Sequence, residues 1–239
     1  MFRPGKLTLQ GLNPVSSYVR QICIWVLVIS FALLQVSPTS ARPFDLDLSF
    51  GIDGITIDVN RTWGPAFGAT LQNDGKLLVV GSNKTTNGDR IDACITRYDT
   101  NGVIEKSHYQ NVLNDDSFDF VMVQNNGKIV AVGGITGSGA DRILIERYMP
   151  DLTVDTTFGD NGFVVTTLGQ NGMLPSAAAV QSDGKIIVGA GEGTVIRYNV
   201  DGTLDTTFNN DGIIETSLYI SSISDAEICA GKSSTPGTA

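Results

Sequence analysis

Three arginines stand at intervals of 50 residues and are the side chains of this sequence best suited to bind a ligand. Each is followed by a tyrosine, in the pairs Arg97-Tyr98, Arg147-Tyr148 and Arg197-Tyr198. Guanidinium groups recognise oxygen-rich ligands, so a fold that repeats with this spacing could present a ring of basic groups to an anionic or carbohydrate ligand. The alternative is structural, because each arginine could instead form an ion pair or hydrogen bond with a neighbouring acidic turn.

The remaining polar residues favour turns over catalysis. The turn that ends at Asp211-Gly212 resembles part of a calcium loop, but it lacks a carboxylate at position 207. Asp155 and Asp205 are therefore predicted to accept backbone N–H bonds at the start of turns. His108 is the single histidine of the chain, which excludes a multi-histidine metal site, and it is predicted to be exposed. We predict no catalytic residue, no metal ligand and no cofactor.

Recurring blocks of sequence indicate which elements would position the arginines. A Gln-x-Asx-Gly-Lys block occurs at 72–76, 124–128 and 181–185, and an Asp-Thr-Thr-Phe block occurs at 155–158 and 205–208. Asx-Gly pairs form tight hairpin turns, and the apolar runs around them have the length of short strands. Each period of about 50 residues therefore predicts four strands, and no helical periodicity follows residue 41.

This repeat predicts an all-β fold, a β-propeller-like array of about three four-stranded antiparallel blades. The predicted units are about 66–110, 118–168 and 175–218, with a lone strand block at 44–59 and a poorly ordered tail at 219–239. Propellers usually have about 4–8 blades, so three blades cannot close a ring. The array is therefore expected to be open or incomplete, to self-associate, or to be a fragment of a longer repeat protein.

The N-terminal residues have the layout of a secretory signal peptide, predicted at 1–41. Three basic residues precede an apolar run at 22–34, and small residues follow at 37–41. The alternative, an uncleaved anchor, would need a longer apolar run to cross a bilayer. Secreted, periplasmic or cell-surface localisation is expected, with no membrane span after cleavage. In that compartment Cys94 and Cys229 could pair or remain thiols.

The charge balance bears on partners. The formal net charge is −9, and the predicted signal contains basic residues but no acidic ones, so the processed chain is more acidic still. Nucleic acids and anionic membrane faces are bound through basic surfaces. Nucleic acid is therefore not expected as a partner, whereas a protein or carbohydrate ligand is compatible with the charge.

The repeated blocks resemble the delta-60 repeat, a bacterial family proposed to fold as β-propellers. The resemblance is carried by Asp183-Gly-Lys185, Arg197-Tyr198, Asp201-Gly202, Leu204-Asp-Thr-Thr-Phe208 and Asp211-Gly212, and it covers about 44–218. The first unit departs from it, because no Asp-Thr-Thr-Phe block follows Asn101-Gly102. The resemblance implies secretion or surface display, and it implies no catalytic residues.

A binding or interaction scaffold without catalysis is the function that this sequence predicts. Its conspicuous polar residues recur at equivalent places in each unit, whereas an active site would break the repeat. Two alternatives stay open: an extracellular carbohydrate-active enzyme that uses acidic loop residues, and a truncated fragment without independent function. Arg97, Arg147 and Arg197 are the candidate ligand-binding residues.

Overall fold

The computed structural model of the chain describes residues 45–58, 64–84, 90–111, 115–137, 141–168, 174–191 and 193–215. The chain divides into two compact units, Met1–Asp45 and Leu46–Ala239, and every described strand lies in the second. The predicted signal peptide, the predicted tail and Cys229 fall outside the described residues. Cys94 is buried.

Twelve strands form three separate four-stranded sheets, here called the first, second and third blades. In each blade the strands follow sequence order, and every neighbouring pair is antiparallel. The first blade contains β1 (Ala66–Leu71), β2 (Leu77–Lys84), β3 (Ile91–Tyr98) and β4 (Ile104–Gln110). The second contains β5 (Asp115–Val123), β6 (Ile129–Thr136), β7 (Arg142–Tyr148) and β8 (Phe163–Thr167). The third contains β9 (Pro175–Val180), β10 (Ile186–Ala190), β11 (Thr194–Tyr198) and β12 (Ile213–Glu215).

The prediction of an open, all-β, propeller-like array is confirmed. No described sheet closes on itself, and the described residues contain no helix. Accordingly, no helix in the described ranges is long and apolar enough to cross a membrane.

The Asx-Gly blocks form the hairpin between the first two strands of each blade. Gly75, Gly127 and Gly184 have φ values of 83°, 81° and 86°, a left-handed region in which a Cβ atom is unfavourable. In the first hairpin the Gly75 N–H donates to the Gln72 carbonyl at 2.9 Å, and the same bond recurs in the other two. This local chemistry fixes the register of the strands that follow.

The blades stack face to face, and β6 supplies both faces of the second blade. Its residues alternate between two clusters: Ile129 and Ala131 pack with the first blade, whereas Val130 and Val132 pack with the third. A strand covered on both sides has no polar face, which explains the continuous apolar sequence of β6. The stacking aligns the ends of equivalent strands in neighbouring blades, where the arginines lie.

The first blade forms its fourth strand without the Asp-Thr-Thr-Phe block. After the Asn101-Gly102 turn the chain enters β4 directly, and Glu105 on that strand stands where the other blades have their turn aspartate. Residues 45–58, from the predicted lone strand block, form turns with one isolated bridge between Ile52 and Ile55. They lie against the first blade, where the Gly51 N–H donates to the Asn101 carbonyl at 2.6 Å.

Candidate functional site

Each of the three recurring arginines is bound to a carboxylate of its own blade. Arg97 lies 2.8 Å from Glu105, Arg147 lies 2.7 Å from Asp155, and Arg197 lies 2.6 Å from Asp205, measured from Nε to a carboxylate oxygen. No two of them share a carboxylate. The geometry is therefore that of the structural alternative, a repeated ion pair, and the ligand-binding role of these arginines remains a prediction.

The lysine that immediately precedes the second strand of each blade joins each pair. Lys128 Nζ contacts the same oxygen of Asp155 as Arg147 does, at 2.8 Å, and Lys185 repeats this contact with Asp205 at 2.8 Å. In the first blade Lys76 lies 2.9 Å from Glu105. Two cations on one buried carboxylate satisfy its charge, which makes burial of the group tolerable.

The arginines also connect neighbouring blades. Arg97 Nη1 donates to the Pro150 carbonyl of the second blade at 2.8 Å, and Arg147 Nη1 donates to the Val200 carbonyl of the third. The Arg147 guanidinium lies 4.5 Å from the centre of the Phe158 ring, an attractive cation–π arrangement. These contacts tie the acidic turn of one blade to the next blade in the array.

The carboxylates of Asp155 and Asp205 are held ionised by their surroundings. Burial raises the pKa of Asp155, but hydrogen bonds from Lys128 and Thr157 and the charge of Arg147 outweigh it and leave the pKa below its usual range. Hydrogen bonds from Lys185 and Thr207 lower the pKa of Asp205 in the same way. Neither group is suited to donate a proton near neutral pH, so neither is a candidate general acid.

We expect the free energy of unfolding to fall as the pH is lowered from about 4 towards 2. The folded-state pKa values of Asp155 and Asp205 lie below the unfolded value of 3.8, so their stabilisation is complete above that value and is lost as the folded carboxylates become protonated. Urea denaturation at stepped pH measures this slope. Asp205→Asn should flatten it, whereas Tyr198→Phe, which removes no carboxylate, should not. Equal slopes in the two variants would contradict the assignment.

A second cluster, formed by His108, Glu146 and Tyr148, lies between the first and second blades. Glu146 is 1% exposed, and one carboxylate oxygen accepts a 2.6 Å hydrogen bond from the Tyr148 hydroxyl. His108 Nε2 lies 3.4 Å from the other oxygen, and its ring meets the Tyr148 ring edge-on at 5.3 Å. Burial, and then the Glu146 charge, raise the pKa of Tyr148 well above its usual value, so the phenol remains a donor.

The sequence analysis did not single out Glu146, and it predicted that His108 is exposed. His108 is half-buried, because it packs on the tyrosine of the next blade, and is not the exposed residue that was expected. A signal was present: Glu146 precedes an Arg-Tyr pair at a place where the other units have Thr96 and Ile196. Two residues from different blades that break the repeat and meet in space are the best candidates here for a unit-specific role.

Tyr148→Phe is expected to lower the free energy of unfolding by about 1.5–3 kcal/mol, because a buried carboxylate loses a hydrogen-bond donor. Tyr198→Phe is the matched control, since among the described residues its hydroxyl bonds the neutral Thr166 hydroxyl, at 2.8 Å, and no carboxylate. That variant should lose about 1 kcal/mol. Chemical denaturation of both proteins at pH 7 makes the comparison. If the two losses are equal, the Glu146 carboxylate is not stabilised by Tyr148.

A surface groove of about 630 Å³ runs between the second and third blades. It is lined by Thr157, Gly159, Asp160, Phe163, Val164, Val165, Asp201, Gly202 and Thr203. The hydroxyl and backbone N–H of Thr203 donate to Asp201 at 2.7 and 2.9 Å, and these bonds lower the pKa of that aspartate. Within the described ranges, no group of three or more His, Cys, Asp or Glu residues is arranged to hold a metal ion.

Comparison with known proteins agrees with the fold. Three segments, 72–107, 124–158 and 181–208, match a family model described as "Domain of unknown function (DUF5122) beta-propeller". One segment falls in each blade, and the match supports a β-propeller repeat family for this chain. No curated protein matches the sequence.

One solved structure with partial similarity is the Xanthomonas campestris protein XC5397, described as a gluconolactonase important in glucose secondary metabolic pathways. The identity is 16%, and the similarity covers 68% of this chain and 79% of that one, with a TM-score of 0.23. A TM-score at this level carries no argument about activity.

Proposed function

We propose that this chain is a secreted or surface-associated scaffold of delta-60-type repeats that binds a protein or carbohydrate ligand and does not catalyse a reaction. The observation that carries the proposal is that the recurring charged residues form ion pairs within their own blades. The arginine and lysine of each blade are both committed to one carboxylate, so the polar positions that the units share stabilise the array. Binding is then left to the surfaces between blades.

The groove between the second and third blades supports a binding role, because it is open and lined by both polar and apolar groups. Thr157, Asp160 and Thr203 offer hydroxyl and carboxylate oxygens, and the Val164 side chain, which packs towards the third blade, offers an apolar surface. Small-molecule sites commonly combine a few hydrogen-bonding groups with apolar side chains in this way. Of the three arginines, Arg197 is the most accessible, at 18% side-chain exposure against 4% for Arg147.

A direct test combines localisation with ligand binding. The full-length chain, expressed in a bacterial host, should be found outside the cytoplasm after fractionation. The purified protein should bind at least one member of an array of acidic and neutral oligosaccharides, or an extracellular protein. Asp160→Ala should weaken this binding at least 10-fold, and Asp183→Asn, outside the groove, should leave it unchanged. A cytoplasmic protein that binds none of these ligands would contradict the proposal.

An extracellular carbohydrate-active enzyme is the second candidate, and the placement of Asp160 and Asp201 favours it. These two acidic loop residues come from neighbouring blades and line one groove. Glycosidases use a pair of carboxyl groups, of which the general acid has a raised pKa. The lowered pKa of Asp201 does not fit that acid. Release of reducing sugar from a polysaccharide panel, abolished by Asp160→Asn, would establish the enzyme in place of the scaffold.

A further inference from the structure

Residues 46–57, here called the N-terminal block, repeat the fold of the acidic turn that precedes the fourth strand of a blade. The Ser49 hydroxyl donates to Asp47 at 2.6 Å, as the Thr157 hydroxyl donates to Asp155 at 2.6 Å. The Phe50 N–H donates to the Asp47 carbonyl at 3.0 Å, matching the bond from Phe158 to Asp155 at 3.0 Å. The Ile52–Ile55 bridge corresponds to the Asp160–Phe163 bridge.

The N-terminal block contacts the first blade in the same way as the acidic turn of the second blade contacts the third blade. Gly51 N–H donates to the Asn101 carbonyl at 2.6 Å, and Gly159 N–H donates to the Asp201 carbonyl at 2.8 Å. A Cβ atom on Gly102 would lie 3.1 Å from the Phe50 ring, and one on Gly202 would lie 3.0 Å from the Phe158 ring. The block thus occupies the position of a preceding blade's outer turn.

The block lacks the cations that this turn binds elsewhere. In the second blade the Asp155 Oδ2 atom receives both Lys128 and Arg147, at 2.8 and 2.7 Å. Asp47 forms no ion pair with any described lysine or arginine, and its pKa is lowered only by hydrogen bonds from Ser49. Among the described residues, the backbone of the block also has no counterpart to two 2.9 Å bonds of the second blade, those from Asp155 N–H to the Arg147 carbonyl and from Arg147 N–H to the Gly162 carbonyl.

The block also exposes the apolar residues that a blade would cover. Leu46, Ile55 and Ile57 are 59%, 52% and 76% exposed. Their counterparts in the second blade are Val154, Phe163 and Val165, all partly buried against the core between the first two blades. Three large apolar side chains on one short segment form a surface that is unfavourable in water and typical of an interface.

The chain's own described blades cannot provide the missing strands. Each blade already has a fourth strand, and its lysine and arginine already form ion pairs with a carboxylate of the same blade. This carboxylate is Glu105 in the first blade, Asp155 in the second and Asp205 in the third. We propose that the N-terminal block is the fourth strand of a composite blade whose other three strands belong to a separate polypeptide. This partner is a repeat unit without its own acidic turn, with a lysine and an arginine that bind Asp47.

This inference goes beyond the proposed ligand-binding role and does not depend on it. It assigns a protein-interaction surface, recognised through three chemical features of the partner. These are an apolar sheet face for Leu46, Ile55 and Ile57, a Lys–Arg pair for the Asp47 carboxylate, and a strand edge for the block's backbone. Strand addition supplies the main-chain hydrogen bonds, and the buried charge pair supplies specificity.

The third blade can be converted into such a partner. A chain ending after Thr203 has a three-stranded third blade in which Lys185 and Arg197 have lost Asp205. It should associate head to tail through the N-terminal block of a second chain, so its mass in multi-angle light scattering should be at least twice that of a single short chain. Asp47→Asn in this short chain keeps the Ser49 bond but removes the charge, and it should weaken association at least 10-fold.

Asp53→Asn in the same short chain is the matched control. It removes one negative charge from the block at a turn position where the second blade has Asn161, with the same φ of 54°. Association should be unchanged in this variant. A short chain that is folded by circular dichroism yet monomeric at about 100 µM would overturn the proposal, as would association that is unaffected by Asp47→Asn.

Full-length Asp205→Ala decides the matter if the short chain does not fold. Its third blade leaves Lys185 and Arg197 without their carboxylate, so the block of a second chain can displace the weakened turn and the three-residue strand β12. Sedimentation equilibrium should show a concentration-dependent dimer that Asp47→Asn abolishes. A monomer at every concentration, or a dimer insensitive to Asp47→Asn, overturns the composite blade.

Discussion

Arg147→Ala is expected to lower the free energy of unfolding by about 3 kcal/mol, because it breaks a buried ion pair and leaves Asp155 with one cation instead of two. The substitution also removes the hydrogen bond to the Val200 carbonyl and the stacking on Phe158. The Arg147 side chain is 4% exposed, so solvent cannot replace these contacts. Urea denaturation of the variant and the native protein, followed by circular dichroism, measures the loss.

Arg197→Ala is the matched comparison, because it removes the same residue from the same place in the third blade. Its side chain is 18% exposed and donates to no carbonyl of a following blade within the described residues. We expect a loss of about 1–2 kcal/mol, the range for a partly exposed charged hydrogen bond. Equal losses at the two positions would mean that the bond to the next blade adds no stability.

Gly133→Ala is expected to cost at least about 3 kcal/mol, because a Cβ atom has no space at this point of the sheet. It would lie 1.9 Å from the Ser117 carbonyl oxygen and 2.6 Å from the Phe118 Cα atom. Both contacts are with backbone, so β5 and β6 would have to separate at the Phe118–Gly133 pair. The same restriction recurs at Gly81 in the first blade, where a Cβ atom would lie 2.1 Å from the Pro65 carbonyl oxygen.

Gly134→Ala tests whether the effect is specific to that contact. Its Cβ atom would meet the Leu174 Cδ2 atom at 2.5 Å, and the end of a leucine side chain can rotate away. We expect a loss of about 1 kcal/mol. Thermal and urea denaturation of both variants gives the comparison. If Gly133→Ala is as stable as Gly134→Ala, then β5 and β6 can move apart at Gly133 without a loss in the free energy of unfolding.

Features that depend on a few neighbouring residues could be predicted from the sequence. The hairpins follow from the Asx-Gly-Lys blocks, because the turn conformation and the side-chain bond to the backbone are both local. The ion-pair alternative for the arginines also followed from the recurring blocks, since Arg147 and Asp155 recur together as Arg197 and Asp205. A repeated pair of opposite charges in a repeated fold is satisfied in the same way each time.

Features that depend on the meeting of two different blades could not be predicted. The contact of His108 with Glu146 joins residues from neighbouring sheets, and the register between blades is not encoded in either segment. Leu152 is a second case: it has a φ of 62° at a position where Gly102 and Gly202 stand in the other units. Its side chain is 1% exposed in the core between the first two blades, which compensates for the unfavourable backbone.

The bonds from Arg97 to Pro150 and from Arg147 to Val200 point the same way along the chain. The first and second blades therefore each donate an arginine hydrogen bond to the blade after them, and a backbone carbonyl of the later blade accepts it. The stack of blades therefore has a direction. Local unfolding of the third blade breaks the hydrogen bond that the Arg147 guanidinium donates, whereas local unfolding of the first blade leaves the Pro150 carbonyl of the second blade without its arginine donor. The stability of a linear array is approximately a sum of contacts between neighbouring units. Because of this asymmetry, we expect the first and third blades to differ in their free energies of local unfolding.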